Sequence, residues 1–330
     1  MSEPPPPPES PAPPPGPVPP SGYEPPPGHQ APSGYQVPPA GHYGPPPISF
    51  ADPSDPLISP DYAGWWQRNI WLVRAYWRPL LMLQLIAAAV ALVVEVPTAV
   101  AQALGSRHLD SGSQLSPEQA TQAFGSALPW MILGAVGAII AALAAVAVQL
   151  AGMRLLVVAV TGGRPAVGDA LRGALRRVFP LIGWGLLAGL ILIAGVFACI
   201  VPAFYFAAVF LVLPAVVLFE RGGVIARCFK LFHADAGAAL ARVATIVGLG
   251  IAASLVAVVF GAILNAVGAA SPGVTGPLVA TTVISTLFGI VVNAALGVVT
   301  APLTLTTYAD ERARREPLHT GVLAQELANA

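Results

Sequence analysis

The sequence predicts an all-α, polytopic membrane helix bundle, and three observations carry that expectation. Apolar residues make up 55% of the 330-residue chain and charged residues only 10%, where soluble domains carry about 25% charged residues. Apolar runs near the ~20 residues needed to cross ~30 Å of hydrocarbon recur along the chain. No run alternates with a period of two, and the Ala, Leu, Val and Gly content suits packed helices. Strands are not expected.

The first 60 residues hold 24 of the 36 prolines. Their charges are Glu3, Glu9, Glu24, Asp52 and Asp55, with no Lys or Arg. Within them "SGYEPPPGHQAP" (Ser21 to Pro32) and "SGYQVPPAGHYG" (Ser33 to Gly44) form an imperfect twelve-residue repeat. Proline fixes φ and removes a donor, and few apolar side chains offset the entropy of ordering. A disordered tail with polyproline II character is therefore expected over 1–60. Its acidic opening does not fit a cationic, apolar signal peptide.

From Pro79 the pattern changes, and six spans follow at about 79–104, 128–160, 180–201, 203–219, 243–268 and 278–308. Together they make a transmembrane domain over 61–310, followed by a C-terminal tail at 311–330. The second and sixth exceed a straight crossing, so tilt is expected. Only "VPAF" (Val201 to Phe204) separates the third from the fourth, which leaves a tight hairpin and a re-entrant pair both open.

The cations fix an expected orientation. Arg68, Arg74 and Arg78 precede the first span, while Arg164, Arg172, Arg176 and Arg177 lie between the second and third. Arg221, Arg227, Lys230 and Arg242 lie between the fourth and fifth, and Arg312, Arg314 and Arg315 follow the sixth. The opposite side offers Arg107 alone. The positive-inside bias puts both termini in the cytoplasm of a plasma-membrane protein. Cys199 and Cys228 then fall near opposite faces, too far apart for a disulfide.

Before the first span, "WWQRNIWLVRAYWRP" (Trp65 to Pro79) sets Trp66, Ile70, Val73 and Trp77 on one narrow helical face, with Arg68, Arg74 and Arg78 on the other side. This predicts an interfacial amphipathic helix near 62–78, with Trp65, Trp66 and Trp77 at headgroup depth and the guanidiniums on anionic phosphates. Val167, Leu171, Ala174 and Val178 repeat the spacing near 166–179, beside Arg172, Arg176 and Arg177, and Pro180 matches Pro79. A third stripe, Ile225, Phe229, Phe232 and Ala236, predicts another such helix near 222–237, with Arg227 and Lys230 as headgroup contacts. Three units of basic helix and transmembrane hairpin are expected.

"ERGGVIARCFKLF" (Glu220 to Phe232), after an apolar span, resembles the cytoplasmic segment of the glycerophosphoryl diester phosphodiesterase membrane-domain-like families. The last span ends in "TYADERARREPL", and Tyr308, Asp310, Arg312, Arg314 and Glu316 are similar to their Tyr-x-Asp-x-Arg-x-Arg-x-Glu ending. The resemblance covers about 60–325. A Pro-rich tail before such a domain resembles mycobacterial proline- and glycine-rich transmembrane proteins. In the name-giving enzymes a separate soluble domain is catalytic, so the resemblance implies a membrane fold and no phosphodiesterase activity here.

No motif carries chemistry. His29, His42, His108, His233 and His319 are scattered, without metal-ligand spacing, and "TGGRPAVGD" lacks the strand that precedes a phosphate loop. No catalytic residue, cofactor or metal is expected. Ionisable residues inside spans are functional candidates. Glu95 is one, near the outer interface or in a coupling role, and Arg154 is another, expected to snorkel to the headgroups or to pair with Glu220, which Arg312 also reaches. Asn265 and Asn293, with Gln84 and Gln149, are expected between helices, and "GLLAG" (Gly185 to Gly189) at a close helix contact.

Three functions follow. The favoured one is a non-enzymatic tether that presents residues 1–60 to cytosolic proteins while its basic collars hold anionic lipid. The second is a transporter or lipid-handling protein using Glu95 and the intramembrane amides. The third is the membrane subunit of a separately encoded enzyme. Self-association is left open, and nucleic acid is not an expected partner. A polar cavity reaching Glu95 or Asn293 would favour the second reading over the first.

Overall fold

A computed structural model describes residues 54–109, 117–198, 200–269 and 275–329. Nine helices form among them and no strand: α1 (Tyr62–Leu109), α2 (Pro117–Val160), α3 (Val167–Ala198), α4 (Ile200–Phe210), α5 (Leu213–Phe219), α6 (Val224–Phe232), α7 (Ala236–Ala269), α8 (Thr275–Ala313) and α9 (Thr320–Ala328). With α4 and α5 taken together, six segments are long and apolar enough to cross a membrane. The chain is an integral membrane protein of helical type. α1 packs along α2 and α8, and α7 packs along α8.

The core gathers at one end of these long helices. Buried apolar residues run to Leu83 on α1, start at Ala147 on α2 and occupy α8 from Val298 onward. Beyond that level the outward faces are bare, with Val93 71%, Ile139 60%, Val258 66% and Val291 64% exposed. Apolar surface on this scale is stable against lipid, not water.

The packed end absorbs segments expected outside it. Most of the predicted disordered tail, 1–53, lies outside the described residues. Residues 54–60, however, are folded: Leu57 and Ile58 are fully buried, and both their N–H groups donate to Asp55 Oδ1. The expected C-terminal tail is likewise part of the fold. Leu318, Leu323 and Leu327 are buried, and Asp55 accepts hydrogen bonds from the Thr320 N–H and hydroxyl at 2.8 and 2.6 Å. Two short leucine-bearing segments close over each other, which neither can do alone.

The interfacial helices near 62–78 and 166–179 are not separate elements. The first is joined to its span through a kink at Tyr76, whose φ of −122° and ψ of 17° leave the helical region. The second runs unbroken through Pro180. α6 alone stands free. The predicted first stripe is also one residue out of register: the buried face is Trp65, Asn69 and Leu72. A polar Asn69 conceals this face in the sequence. In the fold its amide donates to Trp65 O and Thr306 Oγ1, at 2.8 and 2.9 Å. The second stripe is inward, with Ala174 and Val178 buried.

The fourth run is broken at Leu211 and Val212, ahead of Pro214. α6 turns back beside it, with Phe229 edge-on to Phe206 and Phe210 and the Tyr205 hydroxyl 3.2 Å from His233 Nε2. Both ends of α6 stay at the charged end of α8. Arg227 bonds Glu316, and Asp235, just past α6, pairs with Arg314. Tyr205 therefore stands at that end too, seven residues after α3 closes. Burial on α2 agrees, since apart from Gly137, which meets Val94 of α1, its buried residues lie within 147–159. These contacts favour the re-entrant alternative, although both segments are long and apolar enough to cross. "GLLAG" makes no close contact, because a Cβ at Gly185 or Gly189 would meet open space.

The re-entrant geometry is open to a direct check. In a background lacking Cys199 and Cys228, a cysteine at Phe197 should react with an impermeant maleimide from the same side as one at Gly163. Labelling from opposite sides would restore the full hairpin.

Candidate functional site

Three helices each turn a stripe of small residues toward a common space. On α1 it is Gln84, Ala87, Ala88, Ala91 and Glu95; on α2 it is Ala138, Ala141, Ala142, Ala145 and Gln149. Both follow i, i+3, i+4, i+7, i+11, which returns to one face after three turns. α8 contributes Asn293, Ala294, Gly297 and Thr300. Small side chains on facing helices leave room, and a cavity of about 450 Å³ results.

The polar groups lie at its two ends. α1 and α2 are antiparallel, with Val94 against Gly137 and Leu80 near Gly152. Gln84, Gln149 and Thr300 therefore share the end nearer the core, Asn293 stands about one turn farther out than Gly297, and Glu95 lies at the far end, about 16 Å along α1 at 1.5 Å per residue. The Gln84 amide occupies the space that a Cβ at Gly297 would need, which fixes its side chain toward α8. Asn293, Ala138, Ala142 and Ala145 are exposed, so the cavity opens sideways between α2 and α8 at membrane depth. Glu95 is the carboxylate of the lining, and it is half-buried.

At the packed end, residues 301–313 of α8 are all buried, including Asp310, Glu311 and Arg312. Asp310 Oδ2 lies 2.9 Å from Arg242 Nη2 of α7, with the two side chains 0% and 1% exposed. The Ser59 N–H donates to its other oxygen at 2.6 Å. The Arg242 guanidinium also lies 5.8 Å from the centre of the Trp65 ring. A second network binds α5, α6, α8 and α9: Tyr308 donates to Glu220 at 2.9 Å, Arg227 bridges Glu220 and Glu316, and Arg312 grips both oxygens of Glu326 at 2.7 Å.

Titration follows the contacts. Burial acts to raise Glu316, but hydrogen bonds from Arg227 and Arg312 outweigh it and hold the carboxyl below its usual range. The Ala238 N–H and, more weakly, Arg314 hold Asp235 low as well. Burial pushes the Cys228 thiol up to about 12, with Glu311 and Glu220 adding to the effect, so it is an inert core thiol.

No family model, curated protein or solved structure matches the chain. Tyr308, Asp310, Arg312, Arg314 and Glu316 all enter the polar networks of the packed end.

The expected site residues divide accordingly. Glu95 and Asn293 meet in the cavity, together with Gln84, Gln149 and Thr300; Asn265 is exposed elsewhere on α7. Trp65 is wholly buried and not at the headgroups, whereas Trp77 is 46% exposed, with Arg78 beside its ring, and Trp66 is half-buried. Arg74 and Lys230 are exposed, and Arg68 donates to Asp55 O. Arg172 pairs with Asp169, and Arg227 is neutralised. Glu220 pairs with neither Arg154 nor Arg312. Thr300 carries no signal of its own in the sequence, whereas the Gln84-to-Glu95 and Ala138-to-Gln149 stripes are visible there as regular spacings. Among the described residues no three metal-ligating side chains converge.

Removing one partner of a buried ion pair leaves an uncompensated charge, at a cost of about 3–5 kcal/mol. Arg242→Met should lower the thermal unfolding midpoint in detergent sharply. Arg242→Met with Asp310→Leu should recover most of the loss, and failure to recover would show that the pair is not the seat of the effect.

Proposed function

We propose that this chain is a lipid-handling membrane protein whose intramembrane cavity takes an amphipathic molecule from the bilayer. The observation that carries this reading is the lateral, alanine-lined cavity with polar groups at both ends. Its volume lies within the about 300–1,000 Å³ of small-molecule sites, which are apolar with a few placed polar groups. A carboxylate at membrane depth is costly unless it is protonated or paired. Glu95 therefore suits a ligand whose head donates hydrogen bonds or carries positive charge, with its apolar body along the alanines. Gln84, Gln149 and Thr300 give a second polar station for the same head. The side opening suits entry from lipid.

The test is to fill the groove. Ala142→Phe, at an exposed position on the opening, should reduce lipid retained through purification, read by mass spectrometry, by roughly tenfold or more without lowering the unfolding midpoint. Glu95→Gln should change which lipids are retained. Unchanged lipid content in both variants would overturn the reading. A shift from dimer to monomer in Ala142→Phe would mean that a second copy covers the opening instead.

Orientation belongs to the same proposal. The described segments 55–68, 220–242 and 310–329 interlock at one end through ion pairs and hydrogen bonds, the end of α2 packs against α5 and α9 there, and these segments together with 154–177 carry most of the cations. The positive-inside bias supports a cytoplasmic position for that end, in the plasma membrane. Four crossings or six leave both termini on one side.

The tail carries a separate proposal, recruitment of cytosolic proteins through its polyproline segments. Because 54–59 are part of the fold, the deletion that tests it must stop at residue 53. That deletion should leave the unfolding midpoint unchanged and remove co-purifying partners, and an unchanged partner set would exclude recruitment.

A further inference from the structure

We propose that Arg154, Arg176 and Arg177 form a binding site for a phosphate oxyanion at the junction of α2 and α3. Arg154 lies six residues before the end of α2, inside an apolar span, where a guanidinium needs either water or a partner. Its side chain crosses to α3 and seats against Gly173, filling the space that a Cβ there would require. Arg176 and Arg177 follow Gly173 by three and four residues. They flank the same face one turn on, and both act on Arg154 electrostatically. Three guanidiniums from two helices converge by register, and Arg221 adds its field beside Arg177.

Nothing described neutralises them. Among the described residues no carboxylate lies within ion-pair distance of the three. The carboxylate one turn earlier on α3, Asp169, pairs with Arg172. Glu220 is held by Arg227, and Arg221 donates to Asn329 O. Elsewhere at this end the fold matches buried or half-buried guanidiniums with acids: Arg227, Arg242 and Arg312 each have one. Arg154 and Arg177 are half-buried without a carboxylate within ion-pair distance, and Arg176 beside them is exposed. Guanidinium groups present planar, forked donors that fit phosphate oxygens bidentately. The ligand chemistry is a phosphate mono- or diester, and its source is either an anionic lipid headgroup or a soluble phosphate ester.

This inference is independent of the cavity. Gln149 and Arg154 are five residues apart, which turns Arg154 roughly 140° away from the cavity-facing stripe at ~100° per residue. Loss of one site leaves the other intact.

The test uses the full chain in phosphatidylcholine nanodiscs, with and without phosphatidylglycerol. It compares Arg176→Gln with Arg177→Gln, a double change at the two neighbours of Arg154, against the equal-charge control Arg74→Gln with Arg78→Gln. Diffuse attraction, at about 1 kcal/mol per cation near a membrane surface, is lost to a similar extent in both doubles. The forked hydrogen bonds of a site make the loss of phosphatidylglycerol retention in the first pair roughly tenfold or more larger than in the control. Equal losses in both doubles would overturn the site and leave only diffuse attraction of the basic end for anionic lipid. Glycerol 3-phosphate then separates the sources. Competition by it against phosphatidylglycerol, lost in the Arg176/Arg177 double, assigns a soluble phosphate ester; retention of the lipid without competition assigns the headgroup. Binding of neither probe overturns the proposal. Arg154→Lys keeps the charge but not the fork, and should lose part of the affinity with an unchanged unfolding midpoint.

Discussion

Asp310 is a carboxylate almost without water around it, and the packed end of the molecule is arranged so that this can be tolerated. Arg242 on α7 supplies the countercharge at 2.9 Å, and the Ser59 N–H supplies a hydrogen bond from the segment before α1. One buried charge thereby ties α7, α8 and the entry to α1 to a common point. A buried ion pair is weak evidence for added stability, because desolvation offsets much of the attraction. Its strength lies in what it forbids. Sliding α7 along α8 by a turn would leave a charge buried without its partner, and releasing residues 54–59 would strip Asp310 of its hydrogen bond from Ser59. The second network, from Glu220 through Tyr308 and Arg312 to Glu326, fixes α5, α6 and α9 in the same way.

The fixed end explains the open one. Past Leu83 of α1, Ala147 of α2 and Val298 of α8, in the direction away from the ion pairs, the helices have few buried side chains. In lipid there is no hydrophobic drive to close apolar arms on one another, so contact depends on shape. Gly137 admits Val94, and at Gly152 an added Cβ would lie 3.0 Å from Ala301 Cβ. Between such points the alanine stripes do not interdigitate, and the cavity persists. Arms anchored at one end and lightly packed at the other can separate without unfolding.

How far the sequence discloses this differs by feature. Long apolar helices are legible because bilayer thickness sets their length. The inward face of α3 is legible because Ala174 and Val178 are apolar in a basic segment. The face of Trp65, Asn69 and Leu72 is hidden, since a polar residue occupies an inward position and three further tryptophans advertise the neighbouring faces. Segments 54–59 and 318–327 are hidden for another reason. Each has two or three apolar residues, too few to signal a core, and each is buried only through the other's Asp55 and Thr320. The pairing of Arg227 with Glu220 and Glu316, across 7 and 89 residues, has no local signature at all.

The cavity is the intermediate case, and it shows what kind of signal was overlooked. Glu95 and Asn293 are conspicuous singly, as polar residues in apolar runs, but isolation suggested an interface or an interhelical hydrogen bond. The informative quantity is the interval. Gln84 and Glu95 are eleven residues apart with alanine at the three intervening inward positions, and Ala138 to Gln149 repeats the interval on α2. A stripe of alanine between polar ends does different work from a stripe of leucine, since it leaves volume where leucine would fill it. Polar side chains facing such volume cannot satisfy one another across it, as Glu95 and Gln84 are about 16 Å apart along α1. They are left to water or, on the proposed function, to a ligand head.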